Sequence, residues 1–182
     1  MSAASFGLYL HWPYCSRICP YCDFNVYRDR GADEAPWRGA FAVDLAYWRE
    51  RLGQQAFSSV YFGGGTPSLM TPALVGAVLE EAGRLFGIGP DVEVTLEANP
   101  TDAETARFEG FAAAGINRLS LGVQALDDAS LSFLGRNHTA TEVVSALEQA
   151  RAVFPYLTFD LIYARPGQSL AAWQAELARA LD

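Results

Sequence analysis

Apolar residues along the chain fall into short runs separated by longer amphipathic stretches. Residues 6–12 form an apolar and aromatic run that ends at Pro13, a pattern typical of a buried strand. Comparable runs predict four more strands, at residues 59–62, 92–96, 117–123 and 157–163.

The stretches between these strands carry apolar residues three and four positions apart, which is the spacing of an amphipathic helix. Thr71 followed by Pro72 is an N-cap with proline at the first helical position, so a helix is expected to begin there. Gly115 is expected to close another helix. The predicted helices cover residues 36–52, 71–86, 101–114, 139–153 and 169–181.

Strand and helix therefore alternate regularly along the chain. Alternation of this kind forms a parallel sheet with right-handed crossovers. Five units are too few to close an eight-unit barrel, which takes about 250 residues. We expect an α/β fold, a partial (β/α) barrel with a parallel sheet that is truncated after its fifth βα unit.

Chemically distinctive residues come at the ends of the predicted strands. The cysteines follow the first strand, glycines 63–65 follow the second, and Glu97 closes the third. Gln124 follows the fourth strand. Asp160 lies within the fifth between apolar neighbours, so we expect it to have a partner in the fold. Ligands bind at this edge in barrels and open α/β sheets, and we expect a ligand site there.

The composition is that of a globular protein of 182 residues, 51% apolar and 19% charged. The net charge of −8 and the lack of any lysine or arginine run argue against nucleic acid as a partner. Residues 1–7 lack a basic segment followed by an apolar one, so no export signal is expected. Glycine and proline interrupt the uncharged stretches, and membrane association is not indicated. We expect a cytoplasmic protein.

Cys15, Cys19 and Cys22 have the spacing C-x3-C-x2-C directly after a strand. They are odd in number and too close together for a disulfide framework, which indicates metal binding in a reducing compartment. Iron–sulfur clusters usually have four cysteine ligands, so three leave one iron of a [4Fe–4S] cluster open to a ligand. The alternatives are a zinc site and three ordinary thiols. Structural zinc needs a fourth ligand, and His11 lies in an apolar strand, where packing or a backbone hydrogen bond suits it better.

The sequence around these cysteines closely resembles the opening of the oxygen-independent coproporphyrinogen III oxidase family, a branch of the radical-SAM superfamily. The likeness begins with YLHWPYC and CPYCDFN, within residues 9–25. It continues in order through GGGTP at 63–67, LEANP at 96–100, NRLSLGVQ at 117–124, GRNH at 135–138 and DLIY at 160–163. A single block would be a weak indication, but six in the same order are a strong one. The resemblance implies a [4Fe–4S] cluster with S-adenosylmethionine (SAM) bound beside it.

The resemblance also implies which residues bind the methionine part of SAM. Gly64, Gly65 and Thr66 would bind its amino group, and Glu97 would pair with the same ammonium, because a buried carboxylate without a partner is costly. Arg136 would clamp the SAM carboxylate with a two-pronged contact. The alternatives are a plain turn for the glycines and a surface position for the arginine.

The rest of SAM has four further candidate residues by the same resemblance. Gln124 and Asp160 would accept hydrogen bonds from the ribose hydroxyls. Tyr9 and Tyr21 would flank the cluster and the adenosyl group, with core packing as the alternative for both rings.

Two branches of the family compete for the function. The oxidase of porphyrin biosynthesis decarboxylates two propionate groups of coproporphyrinogen III with a 5′-deoxyadenosyl radical, and its motif usually carries a fourth cysteine two residues after the third. Phe24 occupies that place, as in the haem-chaperone branch, which keeps the cluster and the SAM site but delivers haem to other proteins. We therefore favour a haem chaperone, with haem or a porphyrinogen as a ligand and haem-accepting proteins as partners. The oxidase is the alternative, and a non-catalytic metal-binding module is the alternative from another class.

The sequence departs from the family in one turn and in its length. Ala164 and Arg165 stand where the family more often has Gly-Leu, and we expect Arg165 at the surface. The remaining barrel strands and the C-terminal domain of the family have no counterpart. Residues 1–182 are therefore expected to be the N-terminal part of a radical-SAM core domain.

Overall fold

A computed structural model describes residues 6–181, without the side chains of residues 102 and 103. Residues 1–5, part of the stretch in which no export signal is expected, lie outside that range. The strands are β1 (Gly7–Trp12), β2 (Tyr14–Cys15), β3 (Tyr27–Arg28), β4 (Phe57–Gly64), β5 (Ile88–Ala98), β6 (Arg118–Gln124) and β7 (Tyr156–Leu161). The α-helices are α1 (Ala35–Leu52), α2 (Pro72–Leu85), α3 (Asp102–Thr105), α4 (Phe108–Ala113), α5 (Asp128–Phe133), α6 (Ala140–Val153) and α7 (Leu170–Leu181).

Five of these strands form one parallel sheet in the order β1-β4-β5-β6-β7, which follows the chain. When each crossover is right-handed and always advances in the same direction, the connecting helices lie on one face of the sheet. Within the described part of the chain, β1 and β7 are the two edges and do not pair with each other. The predicted partial barrel is confirmed.

Side-chain alternation separates a helix-covered face from an inner face. Val60, Phe62, Leu96, Leu119 and Leu121 are fully buried and belong to the main hydrophobic core. The residues between them point to the opposite face, and most of them are polar. They include Tyr61, Thr95, Glu97, Ser120 and Asp160. The apolar face stabilises the fold, which leaves the inner face for polar chemistry.

The predicted helix over residues 101–114 is wrong as a single element, because the chain divides there into α3 and α4. Residues 106 and 107 form a turn between the two helices, and Arg107 donates from Nη1 to the carbonyl oxygens of Ser68 and Leu69, each at 3.1 Å. The break also lets Glu104 turn its carboxylate into the protein. Tertiary hydrogen bonds therefore override a local helical pattern.

Two further features were not predicted from the sequence. The short helix α5 begins after Asp127, whose carboxylate accepts a hydrogen bond from the Ser130 N–H at 2.8 Å. Strands β2 and β3 pair as a separate two-stranded ribbon around the cysteine segment. The N-cap expected at Thr71 is confirmed, since its side chain accepts from the Leu74 N–H.

Arg165 is not at the surface, contrary to the expectation from the sequence. Its side chain is 8% exposed, and its Nη2 lies 2.6 Å from Oε2 of Glu176, whose side chain is 9% exposed. Glu176 also accepts hydrogen bonds from the Leu126 N–H and from Gln168 Nε2. The arginine is buried because this carboxylate from α7 neutralises it, and the pair connects α7 to the turn after β6.

We predict that Arg165→Leu lowers the free energy of unfolding by about 3 kcal/mol, because it leaves the Glu176 carboxylate buried without its cation. The double variant Arg165→Leu/Glu176→Gln should regain part of that loss, because the uncompensated charge is then gone. Urea unfolding followed by circular dichroism measures both. Arg84→Leu is the control, since it breaks the exposed pair with Glu81 and should change stability much less. A double variant no more stable than Arg165→Leu would contradict this account.

Candidate cofactor site

The cysteine segment is anchored to the sheet by backbone hydrogen bonds. The Gly65 N–H donates to the Trp12 carbonyl at 2.7 Å, and the Thr66 N–H donates to the Tyr14 carbonyl at 2.8 Å. On its other side, the Asp29 N–H donates to the carbonyl of Cys15 at 2.7 Å. These contacts hold Cys15 at the carboxyl edge of β1 and β4.

The glycine loop, residues 63–65, is explained by steric crowding as well as by the expected binding of a ligand. Gly64 adopts φ +109°, and a Cβ there would meet the His11 ring at 2.7 Å. A Cβ on Gly65 would lie 2.6 Å from the Tyr14 carbonyl oxygen. The glycines therefore let the cysteine segment pack directly on the end of β4. A plain turn does not need this approach.

A cavity of about 350 Å³ opens at this edge of the sheet. Eleven of the twelve residues predicted for the cluster and SAM line it: Cys15, Cys19, Tyr21, Cys22, Gly64, Gly65, Thr66, Glu97, Gln124, Arg136 and Asp160. Tyr9 is the exception. Its exposed ring stacks on Tyr61 with ring centroids 6.0 Å apart, next to the cavity rather than in its wall.

Glu97 extends from β5 into this cavity and is half-buried. Oε1 accepts a hydrogen bond from the Tyr61 hydroxyl at 2.8 Å. Burial raises the pKa of Glu97, while the bonds from Tyr61 and the Gly64 backbone oppose that effect. The carboxylate of Glu97 is therefore already oriented to bind a cation in the cavity. Sequence reasoning missed Tyr61, although its position two residues before Gly63 puts both on the same face of β4.

Arg136 is not a surface arginine, because its guanidinium joins three parts of the site. Nη2 donates to the Gly122 carbonyl at 2.8 Å and to Oδ1 of Asn99. Nη1 lies 3.4 Å from Cys19 Sγ and 3.3 Å from the Tyr21 hydroxyl. The contact of Nη1 with the Tyr21 hydroxyl is long, so one N–H of Nη1 is available to a ligand.

The two residues expected at the ribose lie on the last two strands. Gln124 has φ +72° where the pairing of β6 and β7 shifts register, so its side chain turns into the cavity. Asp160 lies exposed on the inner face and has no hydrogen-bond partner within the described part of the chain. The expectation of a fold partner for Asp160 is wrong, because no described element covers that side of β7. Its charge helps to raise the pKa of Glu97.

The two histidines are structural. His11 Nε2 lies 3.1 Å from the Asn25 carbonyl oxygen, which confirms the expected backbone hydrogen bond. His138 is 5% exposed and its Nε2 lies 3.3 Å from the Val123 carbonyl oxygen. Its Nδ1 has no partner within the described residues. Burial and the charge of Arg136 lower the pKa of His138 to about 4, so the ring is neutral at pH 7.

Comparisons with known proteins agree with this geometry. A family model described as the radical SAM superfamily matches residues 9–179. The chain is 45% identical to the mitochondrial radical S-adenosyl methionine domain-containing protein 1 of Bos taurus, over 94% of the chain and 39% of that protein. It is 34% identical to the heme chaperone HemW of Haemophilus influenzae, over 97% of the chain and 48% of the relative. The chain thus spans less than half of either relative.

Solved structures point to the same fold. The coproporphyrinogen III oxidase HemN of Escherichia coli, described as a radical SAM enzyme, superposes with a TM-score of 0.83 at 26% identity. The superposition covers 97% of this chain and 41% of that one. Methylornithine synthase superposes with a TM-score of 0.65 at 16% identity, which supports the fold alone.

For the cellular location of the protein, the relevant structural feature is the character of its helices. None of the helices described combines the length and apolar character that crossing a membrane requires. A cytoplasmic location stays a prediction, and the animal relatives carry mitochondrial names.

We predict that His138 makes stability depend on pH below neutrality. Its folded pKa of about 4 lies below the unfolded value of about 6.5, so unfolding takes up a proton between these values. The contribution of the neutral ring is complete above pH 6.5 and is lost as the pH falls towards 4, by up to about 3 kcal/mol. His138→Gln should flatten the dependence of the unfolding free energy between pH 7 and 4.5, measured in urea. His11→Gln should leave the dependence steep, and equal slopes in all three proteins would contradict the assignment.

Proposed function

The chain belongs to the radical SAM superfamily, and we propose that Cys15, Cys19 and Cys22 bind its [4Fe–4S] cluster, with SAM beside them. We further propose that residues 1–182 correspond to the N-terminal part of the core domain of the longer relatives. The cavity that the three thiols share with the glycine loop, Glu97 and Arg136 is the observation that carries the proposal.

The donor set fits an iron–sulfur cluster better than zinc. Among the described residues, three thiols and no histidine line the cavity, and an iron–sulfur cluster is held by cysteine thiolates, whereas structural zinc needs a fourth ligand. Arg136 donates from Nη1 to Cys19 Sγ at 3.4 Å. Such bonds to sulfur are typical of cluster sites.

The other residues of the cavity complement the charges of SAM. When bound, the cluster would supply the electron that cleaves a carbon–sulfur bond of SAM. Glu97 would hold the ammonium group, since Tyr61 already orients its carboxylate. One N–H of Arg136 Nη1 would turn from the Tyr21 hydroxyl to the SAM carboxylate, while Nη1 keeps its contact with Cys19 and Nη2 stays bound to the Gly122 carbonyl. Gln124 and Asp160, on the neighbouring strands β6 and β7, would accept hydrogen bonds from the ribose hydroxyls.

For the activity of the whole protein, we propose haem delivery rather than coproporphyrinogen oxidation. Curated relatives named heme chaperone HemW share 32–36% identity with the chain. Phe24 supports the choice, because it stands where the oxidases carry a further cysteine, and its side chain is 61% exposed at the rim of the cavity. The structural similarity to HemN keeps the oxidase as the second candidate.

The surface of the cysteine segment supports a flat, apolar ligand that carries carboxylates. Ile18, Phe24 and Tyr27 are 48%, 61% and 57% exposed. A second cavity next to the first is lined by Arg17 and Arg28 together with Ser16, Ile18 and Asn137, with no carboxylate. Neither arginine has an ion pair within the described chain. Exposed rings beside unpaired cations are complementary to a tetrapyrrole with propionate groups.

The cluster assignment predicts that each of Cys15→Ser, Cys19→Ser and Cys22→Ser prevents cluster formation, because the chain has no other cysteine. Anaerobic reconstitution with iron and sulfide should give about four irons per wild-type chain and an absorption band at roughly 400 nm. Reduction in the presence of SAM should then release 5′-deoxyadenosine. Asn25→Ser, in the same segment, is the control that should keep the cluster. Bound zinc without SAM cleavage would instead establish the non-catalytic metal-binding module.

The haem assignment predicts that the chain binds haem more tightly than haem dimethyl ester, whose propionates carry no charge. Arg17→Gln/Arg28→Gln should weaken haem binding about tenfold and leave the ester unaffected, because two exposed ion pairs are lost. Spectroscopic titration measures both affinities. Arg30→Gln/Arg151→Gln removes the same charge elsewhere and should bind haem normally. Carbon dioxide release from coproporphyrinogen III without haem binding would favour the oxidase.

A further inference from the structure

Glu104 is a buried carboxylate that the proposed chemistry does not use. Its side chain is 4% exposed, and it does not line the cofactor cavity. It has no ion pair within the described residues, and burial raises its pKa while its hydrogen bonds oppose the shift. A buried carboxylate persists only where donors satisfy it, so the identity of those donors indicates its role.

The donors to Glu104 come from the loops that follow β4 and β5. Oε2 accepts from the Asn99 backbone N–H at 2.7 Å and from the Ser68 hydroxyl. Oε1 accepts from Asn99 Nδ2 at 3.3 Å and from the Thr101 hydroxyl at 3.4 Å. Glu104 therefore binds both the main chain and the side-chain amide of Asn99.

The side-chain amide of Asn99 connects Glu104 to residues of the cofactor site. Nδ2, shared with Glu104, also donates to Thr66 Oγ1 at 3.3 Å, and Oδ1 accepts from Nη2 of Arg136. Thr66 in turn donates from its backbone N–H to the Tyr14 carbonyl, next to Cys15, and Arg136 donates to Cys19 Sγ. A carboxylate can only accept, so Glu104 selects the amide orientation in which Oδ1 faces the guanidinium.

We propose that Glu104 is a positioning residue that sets the orientation of the Asn99 amide and thereby holds Thr66 and Arg136 against the cysteine segment. The inference rests on the proposed cofactor site but concerns the cofactor-free chain as well. One buried acceptor thus couples the loops after β4, β5 and β6, which all face the same cavity. Glu104 acts through Asn99, and no contact with SAM is required of it.

The test is Glu104→Gln, which keeps the size of the side chain but gives it an N–H₂ group. That group would face Nδ2 of Asn99, so two donors would meet. The Asn99 amide should therefore turn over and present Nδ2 to Arg136. The guanidinium of Arg136 would then lose its acceptor. In the reconstituted protein we expect SAM affinity to fall about tenfold or more, with iron content retained. The reduction potential of the cluster should also move, because hydrogen bonds to its sulfurs tune it.

A rescue variant separates orientation from general stability. In Glu104→Gln/Asn99→Asp, one oxygen of the introduced carboxylate can accept from the introduced amide and the other from Arg136, so SAM affinity should return. Asn117→Asp is the control. Asn117 connects Val94 N and the Val92 carbonyl in the middle of β5, away from the cavity, so its variant should lose stability and keep SAM affinity.

The Arg136 Nε–H resonance in the cofactor-free chain gives a readout that does not need SAM. It should shift in Glu104→Gln, return in the double variant and stay in place in Asn117→Asp. If wild-type protein fails to bind SAM but these shifts occur, the cofactor proposal fails and the positioning role stands. Unchanged Arg136 resonances and SAM affinity in Glu104→Gln, or a double variant without rescue, would overturn the inference.

Discussion

Close backbone packing between the cysteine segment and the glycine loop is the constraint on which the site depends. Two N–H groups at the end of β4 donate to carbonyls on either side of Pro13, and this approach is possible only because residue 65 has no Cβ. A side chain there would push the segment away from the sheet. The thiols would then lose their position beside Glu97 and Arg136. The glycines therefore shape the protein scaffold as much as they leave room for a ligand.

The second constraint is the sequential order of the strands. Because the helices lie on one face, the other face can be polar without loss of the hydrophobic core. This polar face carries Glu97, Ser120 and Asp160. They lie on three neighbouring strands whose carboxyl ends meet at one edge. An arrangement with helices on both faces would have required apolar residues at these positions.

Buried polar groups appear where this edge must be held in one geometry. Arg165 with Glu176, and Glu104 with Asn99, are each satisfied by several hydrogen bonds from different loops. Such networks contribute modest net stability, but they define a unique arrangement. The first connects α7 to the sheet and the second connects the loops around the cavity. The fold thus uses apolar packing for stability and buried polar contacts for the geometry of the site.

The sequence by itself determined the cysteine spacing and the alternation of strands and helices, because the alternation follows from local periodicity. Contiguous motifs that resemble a known family also predicted eleven of the residues that line the cavity. Only the tertiary structure decided the division of the helix at Arg107, the burial of Arg165 and the roles of Tyr61, Asn99 and Glu104. Each of these depends on partners distant in the chain, such as Glu97 for Tyr61 and Ser68 for both Arg107 and Glu104. Local pattern specifies which face of an element is apolar. It does not specify which donor meets which acceptor once the faces have packed.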